Sequence, residues 1–422
     1  MLRLVEGVLD AIAPRRLGPG FRWLLASSWA SNLGDGFSLA AGPLLVASLS
    51  RSPVLVSLGA LTQWVPGFAF GLYAGAVADR VDRRTLILRM NLLRALVLAV
   101  LTATIALQVV NVWVVLTSLL LLGTVDTFAS PATGAALPML VHKRDLGVAN
   151  ARLTFGWVGM GQLAGPPIGA VLFAVGAAWP FAGESVCAVA GVLLFRRVLL
   201  PAHERAPREH RRLGPEIRAG LRWTRNSPAM RALVIQIVTF NVTYGASWSV
   251  LVLYSQQRLH MGTVGFGLLT TAGAVGSLFG TVTYGWLERH VSLAAIMRYG
   301  LVLETFTHLV LALTTRPAVA MLILFLFGIH LVYWATTASS VRQRAVPLEL
   351  QGRVGSVYSI ALMGGLVVGS LLGGVLAGAW GITAPYWFGF AGCAVILMAI
   401  WRQLGNVAHE DTTSLRPPEV GE

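Results

Sequence analysis

Apolar residues fill this chain in long runs, and polar residues break those runs in short bursts. In the first half, runs of spanning length cover Phe21 to Ala47, Pro53 to Ala78, Thr85 to Val110, Val112 to Pro138, Asn150 to Ala177 and Pro180 to Phe195. The second half adds Ala232 to Tyr254, Thr263 to Leu287, Leu293 to Thr314, Pro317 to Val341, Gly355 to Ala379 and Ala384 to Trp401. A helix needs about 20 apolar residues to cross a bilayer, and longer runs allow tilt or short extensions. The pattern predicts an all-α integral membrane protein with twelve transmembrane helices.

The longest polar stretch divides the spans into two sets of six. This gives a cytoplasmic N-terminal segment (1–20), a first six-helix bundle (21–195), a basic cytoplasmic linker (196–231), a second bundle (232–404) and a cytoplasmic tail (405–422). Ile217 and Leu221, one helical turn apart in the linker, suggest a helix lying on the inner leaflet; Trp223 falls off that stripe, and a solvated linker is the other reading. The halves also match each other. At a separation of 209 positions, Asn32, Gly36, Gly67, Gly71, Asp79 and Arg80 correspond to Asn241, Gly245, Gly276, Gly280, Glu288 and Arg289. At 204 positions, Gly161, Gly165 and Gly169 correspond to Gly365, Gly369 and Gly373. A parallel repeat of this kind predicts two pseudo-symmetric bundles about an axis normal to the membrane.

Composition narrows the class. The chain is 55% hydrophobic and only 12% charged, about half the charge of a soluble domain. Its net charge of +14 would suit nucleic acid, but the basic residues sit in short segments between apolar runs. With the N-terminus inside, the outer loops carry only Arg51, Arg258 and Arg316. Both termini are therefore expected in the cytoplasm, with the basic segments against the anionic leaflet and no nucleic-acid partner. The first apolar run is too long for a cleavable signal and is followed by further spans. Cys187 and Cys393 fall within apolar runs and read as small buried hydrophobes. No zincin pair, nucleophile elbow, phosphate loop or cluster of metal ligands is visible, which argues against an enzyme and predicts no metal or cofactor.

Ionisable residues inside spans are costly, about 2.5–3.5 kcal/mol at the bilayer centre, and so face a partner or a cavity. Asp35 lies near the middle of the first run and Asp126 near the middle of the fourth. Asp126 either neutralises Arg94 or serves a substrate. Glu304 and His308, four apart, are placed to satisfy each other, whereas Glu184 is expected near the outer interface and hydrated.

The loop after the second run reads Gly75-Ala-Val-Ala-Asp79-Arg80-Val-Asp82-Arg83-Arg84. It resembles the cytoplasmic loop motif of the major facilitator superfamily, with Asp82 where that motif usually has Gly. Asn32-Leu-Gly34-Asp35, Ala129-Ser-Pro131-Ala132, Ala149-Asn150-Ala151 and Gly165-Pro166-Pro167-Ile-Gly169 extend the resemblance to the drug and siderophore exporter branch. That resemblance implies the major facilitator fold and alternating access in the cell membrane by a functional monomer, with export of an amphipathic small molecule against protons. It implies that Gly75, Asp79, Arg80, Arg83, Arg84, Glu288 and Arg289 form a conformational latch, Asp79 meeting a helix N-terminus and the arginines meeting carboxylates or carbonyl ends of the other half. It places Asn32, Asp35, Asp126, Asn241, Tyr244, His330 and Trp334 around a substrate cavity. Asp35, from its place inside an apolar run, is the candidate for proton coupling, with a structural role hydrogen-bonded to Asn32 or across the helix interface as the alternative. His330 has an alternative reading as a packing residue. Gly161, Gly165, Pro166 and Gly169, with Gly365, Gly369 and Gly373, read either as the antiporter-associated glycine face or as close helix packing. The resemblance is incomplete: Leu153 stands where the full glycine motif has another Gly, and the fourth run lacks a mid-helix Arg. Uptake or lipid translocation by the same fold, and a non-transporting sensor or scaffold, are the competing functions.

Overall fold

The computed structural model describes residues 14–200, 213–347 and 350–406. The expected tail from 407 onward, the linker residues 201–212 and the first thirteen residues lie outside the described residues. All twelve apolar runs are helical. In the first half the helices are α1 (Gly18–Leu49), α2 (Pro53–Arg80), α3 (Arg83–Ala106), α4 (Val112–Leu140), a composite α5 and α6 (Trp179–Phe195). The second half contains α7 (Leu213–Asn226), α8 (Pro228–Ser249), α9 (Leu251–Gln257), α10 (Thr263–His290), α11 (Leu293–Leu313), α12 (Pro317–Ala345), α13 (Gln351–Trp380) and α14 (Ala384–Asn406).

Among the described residues, eight helices are long and apolar enough to cross a membrane. The pair Met230–Ser249 and Leu251–Gln257, bent by 45°, makes a ninth. Trp179–Phe195 and Ala384–Ala399 are shorter apolar helices. The helices keep large apolar side chains on the outside, as a bilayer permits. Leu92, Leu96 and Val100, one turn apart on α3, are 61%, 59% and 53% exposed and form a lipid-facing stripe.

The composite α5 shows how sequence sets local geometry. Leu146–Phe155 is α-helical, Gly156–Ala164 is π-helical, and Gly165–Val175 returns to α. Pro166 and Pro167 lack amide protons, so the carbonyls of Gln162 and Leu163 lose their usual donors. The backbone widens immediately before them, and the Gly165 amide donates to the Met160 carbonyl five residues back.

Two compact units are present, Met1–Pro207 with His260–Thr271, and Arg208–Leu259 with Ala272–Glu422. His260–Thr271 thus groups with the first unit, where Gly267 meets Pro166 and Ala170. In the first unit, Phe21, Leu24, Leu86, Ala132 and Phe195 share one buried cluster. In the second, Met230, Leu233, Met297, Trp334 and Val354 do the same. Helix α7 belongs to this second cluster through Trp223. Of the stripe expected at Ile217 and Leu221, Leu221 is exposed, as a residue facing the leaflet or solvent is, while Gly220 sits on the Arg353 backbone and Thr224 is buried. Gly220 lets the two helix backbones approach, and the packing face follows that close contact rather than the bulk of Leu221.

Candidate functional site

In the first unit, three helices bring charges together within the membrane spans. Arg94 on α3 is 7% exposed and forms ion pairs with both Asp35 on α1 and Asp126 on α4. A buried guanidinium needs anionic partners, because leaving its charge unpaired away from water is costly. Of the two readings of Asp126, the structure shows the pairing with Arg94. It also adds Asp35 to the same pair, which spacing along the chain does not reveal. Both carboxylates remain partly open, with side-chain exposures of 42% and 52%.

Glu184 corrects the expectation of a hydrated interfacial carboxyl. It is buried, packs against Gly34 and accepts a hydrogen bond from the Ser38 hydroxyl. Gly34 lacks a side chain at the α1–α6 contact, which lets α6 close over the carboxyl. Asn32, the remaining α1 residue of the expected cavity, donates to Ser28 Oγ at 3.3 Å.

The glycine faces act as backbone contacts in both units. Gly165 meets Gly36, Gly161 lies against the Asn32 carbonyl, and Gly169 lies against Phe37. Gly365 packs on Asn241, Gly369 on the Val242 carbonyl, and Gly373 on the Ala246 carbonyl. The sequence repeat is therefore repeated as packing, α1 on α5 and α8 on α13.

In the second unit, Trp334, Phe240 and Tyr244 stack in series, with centroids 5.2 and 5.8 Å apart; Trp248 follows Tyr244 at 5.3 Å. Phe327 stacks on Tyr244 at 5.9 Å. Phe240, Phe327 and Trp334 are buried, whereas Tyr244 and Trp248 keep partial exposure. Asn241 is buried, its amide donating to the Ile237 carbonyl at 2.7 Å, and His330 is buried beside Glu304. Phe240 and Trp248 were missed in the sequence, although their spacing of four on either side of Tyr244 marks one helix face.

The loop residues take definite places. The Arg84 Nε donates to the Val198 carbonyl at 3.0 Å, and its Nη2 donates to the Arg196 carbonyl at 2.7 Å. These are carbonyl ends, but they lie in the same unit rather than in the other half. They follow the C-terminal end of α6, where free carbonyls attract a cation. Arg83 donates to the Met139 sulfur at 3.4 Å. Asp82 caps α3, accepting from the Thr85 amide at 2.8 Å. Glu288 lies 3.9 Å from Arg344, both partly exposed; Arg80 and Arg289 are exposed, and Gly75 has open space around it. The Asp79 side chain lies outside the described residues.

A family model described as a transmembrane secretion effector, within the major facilitator superfamily, matches residues 10–419. The chain belongs to this family. It is 27% identical over 379 residues to a multidrug efflux pump, Tap, of Mycolicibacterium fortuitum, covering 86% of this chain and 90% of that protein. A macrolide efflux protein A of Streptococcus pyogenes is 22% identical over 362 residues, covering 83% and 86%. Among solved structures, a point mutant of the nucleoside transporter NupG superposes with a TM-score of 0.74 at 11% identity, covering 91% of this chain and 99% of that one. A bacterial homologue of the iron transporter ferroportin gives 0.73 at 16% identity, covering 91% and 98%. These two establish the shared fold. This member of the secretion effector family is a multi-pass membrane transporter, not an enzyme.

Proposed function

We propose that this transporter exports amphipathic, drug-like small molecules in exchange for protons. The sharing of Arg94 between Asp35 and Asp126 carries the reading. Two ionised carboxylates around one guanidinium leave a single negative charge, which one proton neutralises. A cationic cargo neutralises it equally well. Proton and cargo then compete for one site, and competition of this kind is the physical basis of exchange. Glu184, buried beside α1, supplies a further carboxyl within the same unit. Either carboxylate is open enough to take the proton while the other keeps Arg94 compensated, and we assign the coupling to Asp35 near the middle of the first span.

Tyr244 and Trp248 supply partly exposed aromatic surface for a lipophilic or planar cargo, which favours a drug-like molecule over a hydrophilic siderophore. The efflux activities named for the mycobacterial and streptococcal relatives support the outward direction. Asp79 and Arg80 serve in the cytoplasmic latch, Arg84 braces the end of α6 within its own unit, and both termini are cytoplasmic.

The test is transport in proteoliposomes with a macrolide and, separately, a lipophilic cation such as ethidium. Wild-type protein should accumulate at least one of them under an imposed pH gradient. Asp35→Asn should lose that accumulation while keeping gradient-free exchange. Full uphill transport by the variant would remove Asp35 as the coupling residue.

A further inference from the structure

In the second unit, away from the Arg94 pair, the fold gathers four side chains that are far apart in sequence. Glu304 and His308 lie one turn apart on α11, Cys393 on α14 and His330 on α12. All four are at most 3% exposed. The ligand atoms of Glu304, His308 and Cys393 lie within 4.8 Å of one another. The Cys393 sulfur is 3.2 Å from Glu304 Oε1, and His330 Nε2 is 3.8 Å from Glu304 Oε2. We propose that Glu304, His308 and Cys393 form a binding site for a divalent transition metal, zinc or its cobalt surrogate, which pins α11 and α14 together, with His330 beside Glu304 at its edge.

The surrounding shell favours a metal over a simple hydrogen-bond network. His308 Nδ1 faces the Ser247 hydroxyl at 3.2 Å, while its Nε2 is buried without a hydrogen-bond partner. Metal-bound histidines are held in this way: one ring nitrogen donates to an oxygen, and the other keeps its lone pair for the ion. His330 Nε2 is also buried without a hydrogen-bond partner. An orphaned imidazole nitrogen on His308 beside a carboxylate and a thiol is costly in a dry interior, and one cation satisfies all three.

Room for both rings is built into the backbone. A Cβ at Gly389 would fall 2.6 Å from His308 Nδ1, and one at Gly300 would fall 2.7 Å from His330 Nδ1. The Thr243 hydroxyl lies just outside, 3.4 Å from Glu304 Oε1 and 3.6 Å from the Cys393 sulfur. Sulfur, imidazole and carboxylate together suit zinc, whose ligands at about 2.0–2.3 Å stand about 3.3–3.8 Å apart in a tetrahedron. The 3.2 Å between the Cys393 sulfur and Glu304 Oε1 lies just below that range, and the ligand atoms of all three residues lie within 4.8 Å of one another. Binding replaces the thiol proton of Cys393 with the metal, so affinity should weaken as the pH is lowered.

The experiment uses the full chain, purified in detergent with any polyhistidine tag removed, and loaded with zinc or cobalt before desalting. Wild-type protein should retain about one metal per chain and melt at a higher temperature than after chelation. Its cobalt form should show a sulfur-to-cobalt charge-transfer band and the intense visible bands of a tetrahedral ion. Cys393→Ser should lose the charge-transfer band, His308→Gln should lose most of the metal, and Cys187→Ser should lose neither. Folded wild-type protein without metal, or a charge-transfer band that survives Cys393→Ser, would overturn the proposal. Should Cys393→Ser fail to fold, the Cys187→Ser protein decides. Cys393 is then the sole thiol, and absence of the band overturns the site.

Discussion

Gly165 on α5 meets Gly36 on α1 backbone to backbone, immediately beside Asp35. No side chain fits between them, so the spacing of the two helices and the position of the carboxylate are set together. Gly165→Ala should therefore force α1 and α5 apart, at a cost of about 1–3 kcal/mol. The matching control is Gly71→Ala on α2, where an added Cβ finds no atom within 4 Å. Thermal melts of the two purified variants should separate clearly, with Gly71→Ala close to wild type. Equal melting temperatures would show that the α1–α5 contact is more yielding than its geometry implies.

Orientation can be read from two exposed loop positions. Gln108 follows α3, and His290 ends α10; both are exposed. The excess of basic residues predicts that they lie on opposite sides, Gln108 outside and His290 inside. Gln108→Cys should react with an impermeant thiol reagent in intact cells, and His290→Cys only after the membrane is opened. The native Cys393 is buried and Cys187 half-buried, so neither should mask the result. The reverse labelling pattern would invert the proposed topology.

Asp82 makes a pH-dependent cap. Its hydrogen bonds with Thr85 hold the carboxyl below the usual carboxylate range, and Arg84 adds a smaller contribution in the same direction. A lowered folded value means that the cap's contribution is complete above the unfolded carboxylate value and is lost as pH falls through the folded one. Asp82→Ala should cost about 1 kcal/mol of local helix stability at neutral pH, and Asp82→Asn much less. Hydrogen exchange at the first turn of α3 should show faster opening in Asp82→Ala at pH 7. That difference should shrink as the wild-type carboxyl protonates.

The helices were legible because apolar run length is a local property, and the bilayer enforces it on each span separately. The repetition of the glycine faces was also visible, since Gly161, Gly165 and Gly169 recur as Gly365, Gly369 and Gly373, but not which helix each face packs on. Clusters were harder to read. Asp35, Arg94 and Asp126 come from three helices, and nothing in their spacing shows that one guanidinium serves both carboxylates. Glu304 and Cys393 are equally remote, and helix packing alone joins them. Glu184 was misplaced because Gly34, whose missing side chain lets α6 cover it, is far away in sequence.

The charge balance around Arg94 gives the strictest test. With either aspartate neutralised, the other still compensates the guanidinium, so Asp35→Asn and Asp126→Asn should each lower stability only slightly. Their combination leaves a buried cation without an anion, which typically costs about 3–5 kcal/mol. The two effects should therefore be far from additive, as expected for residues sharing one partner. Adding Arg94→Met to the double variant removes the stranded charge while keeping a long apolar side chain in the same space. Thermal stability should then recover most of the loss, while gradient-driven accumulation stays absent because no titrating pair remains. A triple variant as unstable as the double would mean that Arg94 serves as packing rather than as a charge. Retained uphill transport in the triple variant would place proton coupling elsewhere, with Glu184 the next residue to examine.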